Sequence, residues 1–293
     1  MKRTIKKLAY IHLYSNNVQE TANFFRDMFE WEVFEGDQGQ IYVAMDKYHH
    51  RIVIYHRDTP GLKAVGWQVF NYRDFLETAK ILENAGISCQ MGTEEQCQER
   101  KVSAFLSFTD PGGNIAEVCY APFVTRPQVK SIGNINIVDM LHVTVAMSEE
   151  KYKKNLAFYE QVLGFNVSDF MNGNIAFTRC SHHHHNLAMA ASEEPGREFR
   201  HFMFEVESVD DLMRTYYRAK EKNCNIHGPG RHGNCQTLHV YMQIPGVGLT
   251  TIEIGWGQRK IMDDDNWEVV RYEFYGEELK EFIDVYGSFR VHK

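Results

Sequence analysis

A chain of 293 residues that is 43% apolar and 24% charged has the balance of a folded globular protein with room for two domains, which excludes a disordered or fibrous class. The formal charge of −7 argues against a nucleic-acid partner, because phosphate binding draws on a basic surplus. Cys89, Cys97, Cys119, Cys180, Cys224 and Cys235 form no C-x-x-C pair, which argues against a zinc knuckle or a disulfide scaffold and fits reduced thiols of a cytoplasmic protein.

The opening MKRTIKKLAYIHLYSNN has an apolar run too short, and too soon broken by His12, for a signal peptide or a membrane span, so no membrane partner is expected. Leu8–Tyr14 reads instead as a strand, and residues 17–29 (NVQETANFFRDMF) as an amphipathic helix opened by Asn17. Strand-like runs follow at Glu32–Phe34, Ile41–Ala44 and Arg51–Tyr55, giving the order β-α-β-β-β. A second unit opens at Val65–Phe70, continues with a helix over Asp74–Ala85 stopped by Gly86, and ends on Ile115–Tyr120 after the turn Asp110-Pro111-Gly112-Gly113-Asn114. Residues 122–136 have the character of a linker.

The pattern then restarts. Met140–Ala146 is a strand, and the helix Lys151–Leu163 carries AFYEQVLGF, an echo of FFRDMFEW at 24–31. A fourth unit runs from the strand Phe199–Val206 through a helix from Val209 to about Lys222, and closes on Leu238–Gly257, LHVYMQIPGVGLTTIEIGWG. The expected fold class is therefore α+β, two domains each of two βαβββ modules. Residues 1–125 form the first domain, 126–138 the linker, 139–257 the second domain and 258–293 a tail.

Because the halves repeat, each is a control for the other. Aligning opening strands sets His142 against Tyr10 and His201 against the neighbourhood of Gly66, while Glu253 has a counterpart in Glu117. The second half thus adds two imidazoles to a carboxylate that the first half also has. Two neutral histidines and one carboxylate, with positions left open, are the ligand set of non-haem Fe(II) oxygenases; zinc would also accept it. The bland alternative, packed strand histidines and a solvent-facing glutamate, does not explain why both histidines stand on opening strands of successive units.

At these residues the chain resembles the type I extradiol ring-cleavage dioxygenases of the vicinal oxygen chelate superfamily. The resemblance rests on Leu141-His142-Val143, Arg200-His201-Phe202, Gly228-Pro229-Gly230-Arg231-His232, Tyr241 and Ile252-Glu253-Ile254-Gly255-Trp256-Gly257, in that order. It implies an incomplete barrel around a central funnel in each domain, and a first half that keeps the fold without the metal. It also implies Fe(II), with Mn(II) as the alternative, on His142, His201 and Glu253, and cleavage of a catecholic ring beside its diol by dioxygen to a muconic-semialdehyde-type product. The same resemblance places an acid-base histidine at His184 or His185, with His232 against the substrate and Tyr241 as both a catalytic and a substrate-binding residue. His182 and His183 read as exposed loop residues, and His227 and His239 as structural. His49-His50, at the place equivalent to His184-His185, leaves open a merely structural role for one member of each pair.

The partners expected are a small aromatic diol and O2, in a homo-oligomer. Phe170, Met171, Met189, Phe202 and Phe204 are candidates for a pocket wall, although aromatic residues at strand spacing more often pack in a core. The turn after Pro245 is two residues longer than the one after Pro111, which puts the pose of Tyr241 in question. Asp263-Asp264-Asp265 reads as solvated surface, and the tail as a lid or a subunit contact. A metal-dependent isomerase or lyase on the same scaffold, or a protein that only sequesters an aromatic ligand, are the competing functions.

Overall fold

The computed structural model describes residues 3–286; the part of the expected tail at 287–293 lies outside them. The first module runs β1 (Ile5–Ser15), α1 (Val18–Phe29), β2 (Glu32–Glu35), β3 (Ile41–Ala44) and β4 (Ile52–His56). The second runs β5 (Gly61–Val69), α2 (Tyr72–Asn84), β6 (Cys89–Met91), α3 (Glu94–Arg100), β7 (Val102–Thr109) and β8 (Ile115–Pro122). In the second half come β9 (Ile137–Met147), α4 (Glu149–Gln161), β10 (Asn166–Met171), β11 (Ile175–Arg179) and β12 (Leu187–Ala191). They are followed by β13 (Phe199–Val206), α5 (Val209–Glu221), β14 (Ile226–Arg231), β15 (Leu238–Gln243) and β16 (Thr251–Trp256). The tail adds β17 (Val270–Tyr272) and α6 (Gly276–Ile283).

Local chemistry accounts for the helix starts. The side chains of Asn17, Asn71 and Ser208 accept the backbone N–H of Glu20, Asp74 and Asp211, donors that the first helical turn leaves without partners. Helix α3, which strand patterning does not foresee, opens on a capping box between Thr93 and Gln96.

In each module the first and last strands pair in parallel, and the two modules of a half join through antiparallel pairing of their first strands. The result is one sheet ordered β2-β3-β4-β1-β5-β8-β7-β6 and another ordered β14-β15-β16-β13-β9-β12-β11-β10-β17. Among the described residues no pairing closes either sheet. The apolar core is continuous across the halves: Trp31 meets Phe204 edge-on at 5.2 Å between ring centroids, and Trp67 meets Phe165 at 5.3 Å. Polar ties join the halves too, with Nζ of Lys7 2.7 Å from Oδ2 of Asp139 and Arg51 paired with the other oxygen.

Several expectations change in detail. Gly228-Pro229-Gly230-Arg231 makes up most of β14, whose pairing with β15 is irregular between His227 and Gly230. The long turn after Pro245 leaves the β15–β16 register unbroken, with Tyr241 opposite Glu253; Gly246 and Gly248, at φ of +75° and +64°, absorb the extra residues. Asp264 is not merely solvated, since it pairs with Arg3 and Arg179 at 2.8 Å each. Met189, Phe202 and Phe204 are core residues rather than pocket wall.

Candidate active site

The strand order puts β9, β13 and β16 side by side, and with them His142, His201 and Glu253. His142 and Glu253 flank the same residue, Met203, in cross-strand register, two positions after His201. Side chains in such a row, and two apart along a strand, share a face. Accordingly Nε2 of His142 lies 3.1 Å from Oε2 of Glu253 and 3.2 Å from Nε2 of His201, which is itself 3.4 Å from that oxygen.

This cluster suits a cation. Glu253 is fully buried and its Oε1 has no hydrogen-bond partner, a costly state for a carboxylate unless a positive charge offsets it. Burial alone would raise its pKa, but His142, His201 and His232 together hold it well below the ordinary carboxylate value. Burial lowers His201 to about 3, against the Glu253 charge, so it is neutral at pH 7 as a ligand must be. The Gln258 amide reaches Nδ1 of His142 at 3.4 Å, and its Oε1 is buried without a partner. With that oxygen turned to the ring it accepts Nδ1–H and leaves Nε2 as the free donor atom, the way metal-bound histidines are generally held. His232 and His239 also approach Glu253, and His227, His239 and Asp284 gather behind them. His232, however, is engaged at both nitrogens, with Ile283 O at 2.7 Å from Nδ1 and Tyr241 Oη at 2.9 Å from Nε2. A carbonyl can only accept, so His232 donates from Nδ1, and its Nε2 meets the Tyr241 hydroxyl.

The triad opens into a cavity of 370 Å³ lined also by His185, His232, Tyr241 and the apolar Ile175 and Phe177. Of the expected wall residues, Met171 is there. The strand-entry pair divides as follows. His185 lines the cavity, its ring 4.1 Å from that of His142, whereas His184 is wholly buried and bonds through Nε2 to Oδ2 of Asp169 at 2.7 Å. The two rings meet Nδ1 to Nδ1 at 3.1 Å. His182 is exposed and His183 half-buried, in a bridge with Lys260. His239 is buried, neither ring nitrogen has a hydrogen-bond partner, and it stacks on His232 at 4.0 Å. Sequence reasoning also passed over Asp169, Thr144, whose Oγ1 is 2.9 Å from Nε2 of His201, and Gln258. None of these carries a motif; only pairing brings them to the site.

The first half shows what fills the same place without histidines. Tyr10, Gly66 and Glu117 form the equivalent row, so the positional counterpart of Met203 is Gly66, and that of His201 is Ala64. Tyr10 donates to Oε2 of Glu117 at 2.7 Å, and Arg100 grips both oxygens from Nε and Nη2 at 2.8 and 2.7 Å. A Cβ on Gly66 would lie 2.3 Å from the Tyr10 ring, so glycine makes room for the tyrosine. A guanidinium thus balances in this half the charge that a metal would balance in the other.

The model of the Glyoxalase/Bleomycin resistance protein/Dioxygenase superfamily matches residues 7–118 and 140–241, one stretch in each half. The chain is 29% identical over 284 residues to an iron-dependent extradiol dioxygenase of Rhodococcus jostii (strain RHA1), covering 90% of this chain and 93% of that protein. It is 28% identical over 276 residues to a biphenyl-2,3-diol 1,2-dioxygenase of Sphingomonas paucimobilis, covering 87% and 89%. Among solved structures a halotolerant catechol dioxygenase superposes with a TM-score of 0.83 at 24% identity, covering 92% of each chain. No helix among the described residues is long and apolar enough to cross a membrane. With both halves matched, the chain belongs to the Glyoxalase/Bleomycin resistance protein/Dioxygenase superfamily.

Proposed function

We propose that this protein is an extradiol dioxygenase that cleaves a catecholic ring with O2, its Fe(II) held by His142, His201 and Glu253, with Mn(II) as the alternative for the same ligands. The observation that carries the reading is the convergence of two imidazole nitrogens and a charge-starved carboxylate, 3.1 to 3.4 Å apart, at the edge of a mostly apolar cavity. The curated relatives, extradiol dioxygenases by name over most of their length, support it. The bound metal would supply coordination to a vicinal diol and to dioxygen, and a path for electrons between them.

The chain's own residues manage protons and position. Asp169 is an acceptor only, so His184 donates to it from Nε2 and is left accepting at Nδ1. His185 must then donate its Nδ1–H to His184, which leaves Nε2 of His185 as a lone pair. Burial, with the neighbouring histidines, pushes the His185 pKa well below its ordinary value, so the ring rests neutral, able to take a hydroxyl proton from the substrate and return it later. These hydrogen bonds favour His185 as the acid-base residue, with His184 orienting it. Tyr241 and His232, hydrogen-bonded to each other, face the same cavity as substrate-positioning groups, and the backbone of Ile283 brings the tail over them.

The division into a metal-free first domain at 1–125, a linker at 126–138, a catalytic domain at 139–257 and a tail from 258 is part of the same reading. So is a cytoplasmic location, in keeping with six free cysteines, and a homo-oligomer, in keeping with exposed Phe70, Tyr72 and Leu76 around the start of α2.

Iron-loaded protein in an oxygen electrode, offered a panel of catechols, tests the function. Oxygen uptake matched to a coloured ring-fission product is expected. Metal-loaded protein that consumes no oxygen with any catechol, or that turns over a substrate under strict anaerobiosis, would sink the proposal.

A further inference from the structure

Two arginines, Arg197 and Arg200, line the cavity beside the triad. Arg200 immediately precedes His201 on β13, and strict alternation would send the two side chains to opposite faces of the sheet. The pairing with β9 does not alternate strictly here: Phe199 is opposite Val145 and His201 opposite Thr144, which leaves Arg200 as the extra residue of a bulge. A bulge re-aims a side chain, and Arg200 accordingly shares the cavity with His201.

The guanidinium has little there to meet it. Arg200 is half-buried, and its Nε is buried with no acceptor; Nε of Arg197 is in the same state. Glu194 approaches Arg197 at 3.6 Å, outside the cavity lining. Within the lining the one carboxylate among the described residues is Glu253, which is turned to His142 and His201. Ile175, Phe177, Ala188 and Ala190 of the same lining offer an aromatic ring apolar surface.

A planar guanidinium fork matches a carboxylate, which takes two parallel N–H bonds from it and neutralises it in one contact. We propose that the preferred substrate bears a carboxylate, on the catechol ring or on a short side chain, and that Arg200 binds it while Arg197 adds positive charge at the rim. This rests on the ring-cleavage reading of the same cavity and narrows it to anionic catechols.

The test uses the full chain loaded with Fe(II) and matched pairs: 4-methylcatechol against 3,4-dihydroxybenzoate, 3-methylcatechol against 2,3-dihydroxybenzoate, and 4-ethylcatechol against 3,4-dihydroxyphenylacetate. Both kcat/KM from oxygen uptake and Kd under anaerobic conditions are measured. In at least one pair the acid is favoured by about tenfold or more in both measures, the scale of a hydrogen-bonded charge contact. Arg200→Met removes that preference, and the variant melts no lower than the parent because an unpaired half-buried cation has been replaced by an apolar chain. Equal or better binding of the neutral member in every pair, or a preference that survives Arg200→Met, overturns the inference. A preference in Kd that Arg200→Met abolishes, with no oxygen uptake from any compound, keeps the carboxylate site and overturns ring cleavage instead.

Discussion

Oδ2 of Asp169 stands 2.7 Å from Nε2 of His184, and through that bond a wholly buried carboxylate fixes which nitrogen of His185 carries a proton. The first half contains the same pair of rings without the carboxylate. His49 and His50 also meet Nδ1 to Nδ1, at 2.9 Å, but Phe34 of β2 packs on His49 at 5.1 Å where Asp169 of β10 holds His184. The ring pair belongs to the module, and the acid belongs to the half with the site.

Asp169→Asn is therefore expected to reverse the tautomers. The Val270 N–H donates to Oδ1 of Asp169 at 3.2 Å and would hold the asparagine oxygen there, presenting the amide NH2 to His184. His184 would then accept at Nε2 and donate from Nδ1, and His185 would present a proton where it had a lone pair. A comparable exchange in serine proteases lowers kcat about 10⁴-fold, and general acid-base roles contribute about 10² to 10⁴. A fall in kcat of about 10² or more, with KM and metal content little changed, is expected. Nitrogen-15 spectra of the histidine rings report the tautomer directly, and unprotonated Nε2 on His185 in the parent is the required signature.

Removing a ligand acts differently. His142→Ala and Glu253→Ala should each lose bound iron and activity together while keeping the circular dichroism of the parent, with iron counted by plasma emission. Chelation of the parent should lower its melting temperature, and Fe(II) should restore it; at a hundred times Kd the bound ion adds about 2.7 kcal/mol. Metal content unchanged by either substitution would reject the ligand assignment.

Asp139 links stability to acid. Burial would raise its pKa, but Arg51 and Lys7 outweigh burial and hold it below the ordinary carboxylate value. A carboxylate depressed in the folded state adds stability that is fully present above its unfolded pKa of about 3.9 and is lost as pH falls through the lower folded value. Asp139→Asn should cost about 2 kcal/mol at pH 7, since two cations lose their partner and Asp139 itself remains partly exposed. Below about pH 4 the difference from the parent should shrink. Urea unfolding at pH 7 and pH 3 checks both statements.

In the first half, Arg100→Met strands Glu117, a carboxylate with 2% side-chain exposure, and is expected to destabilise the protein by about 3 kcal/mol. Iron content and kcat/KM of the folded variant should not move, because the site lies in the other sheet. Denaturant midpoints and metal analysis separate the two effects.

The sequence by itself determined the fourfold βαβββ repeat, the α+β class and the identity of the three ligand candidates. Hydrophobic periodicity and caps are local, and the repeat supplied a control in which Tyr10 and Gly66 stand without imidazoles. Tertiary structure decided what depends on pairing and register. It separated His185 from His184 by bringing up Asp169, a residue 15 positions away with no motif around it. It placed Gln258 and His239 beside the cluster, and put Arg100 on Glu117 from the end of a helix that strand patterning did not foresee. Above all it turned Arg200 to the side of His201. Two neighbours in a regular strand face apart, and a bulge is a property of two paired strands that neither sequence states alone.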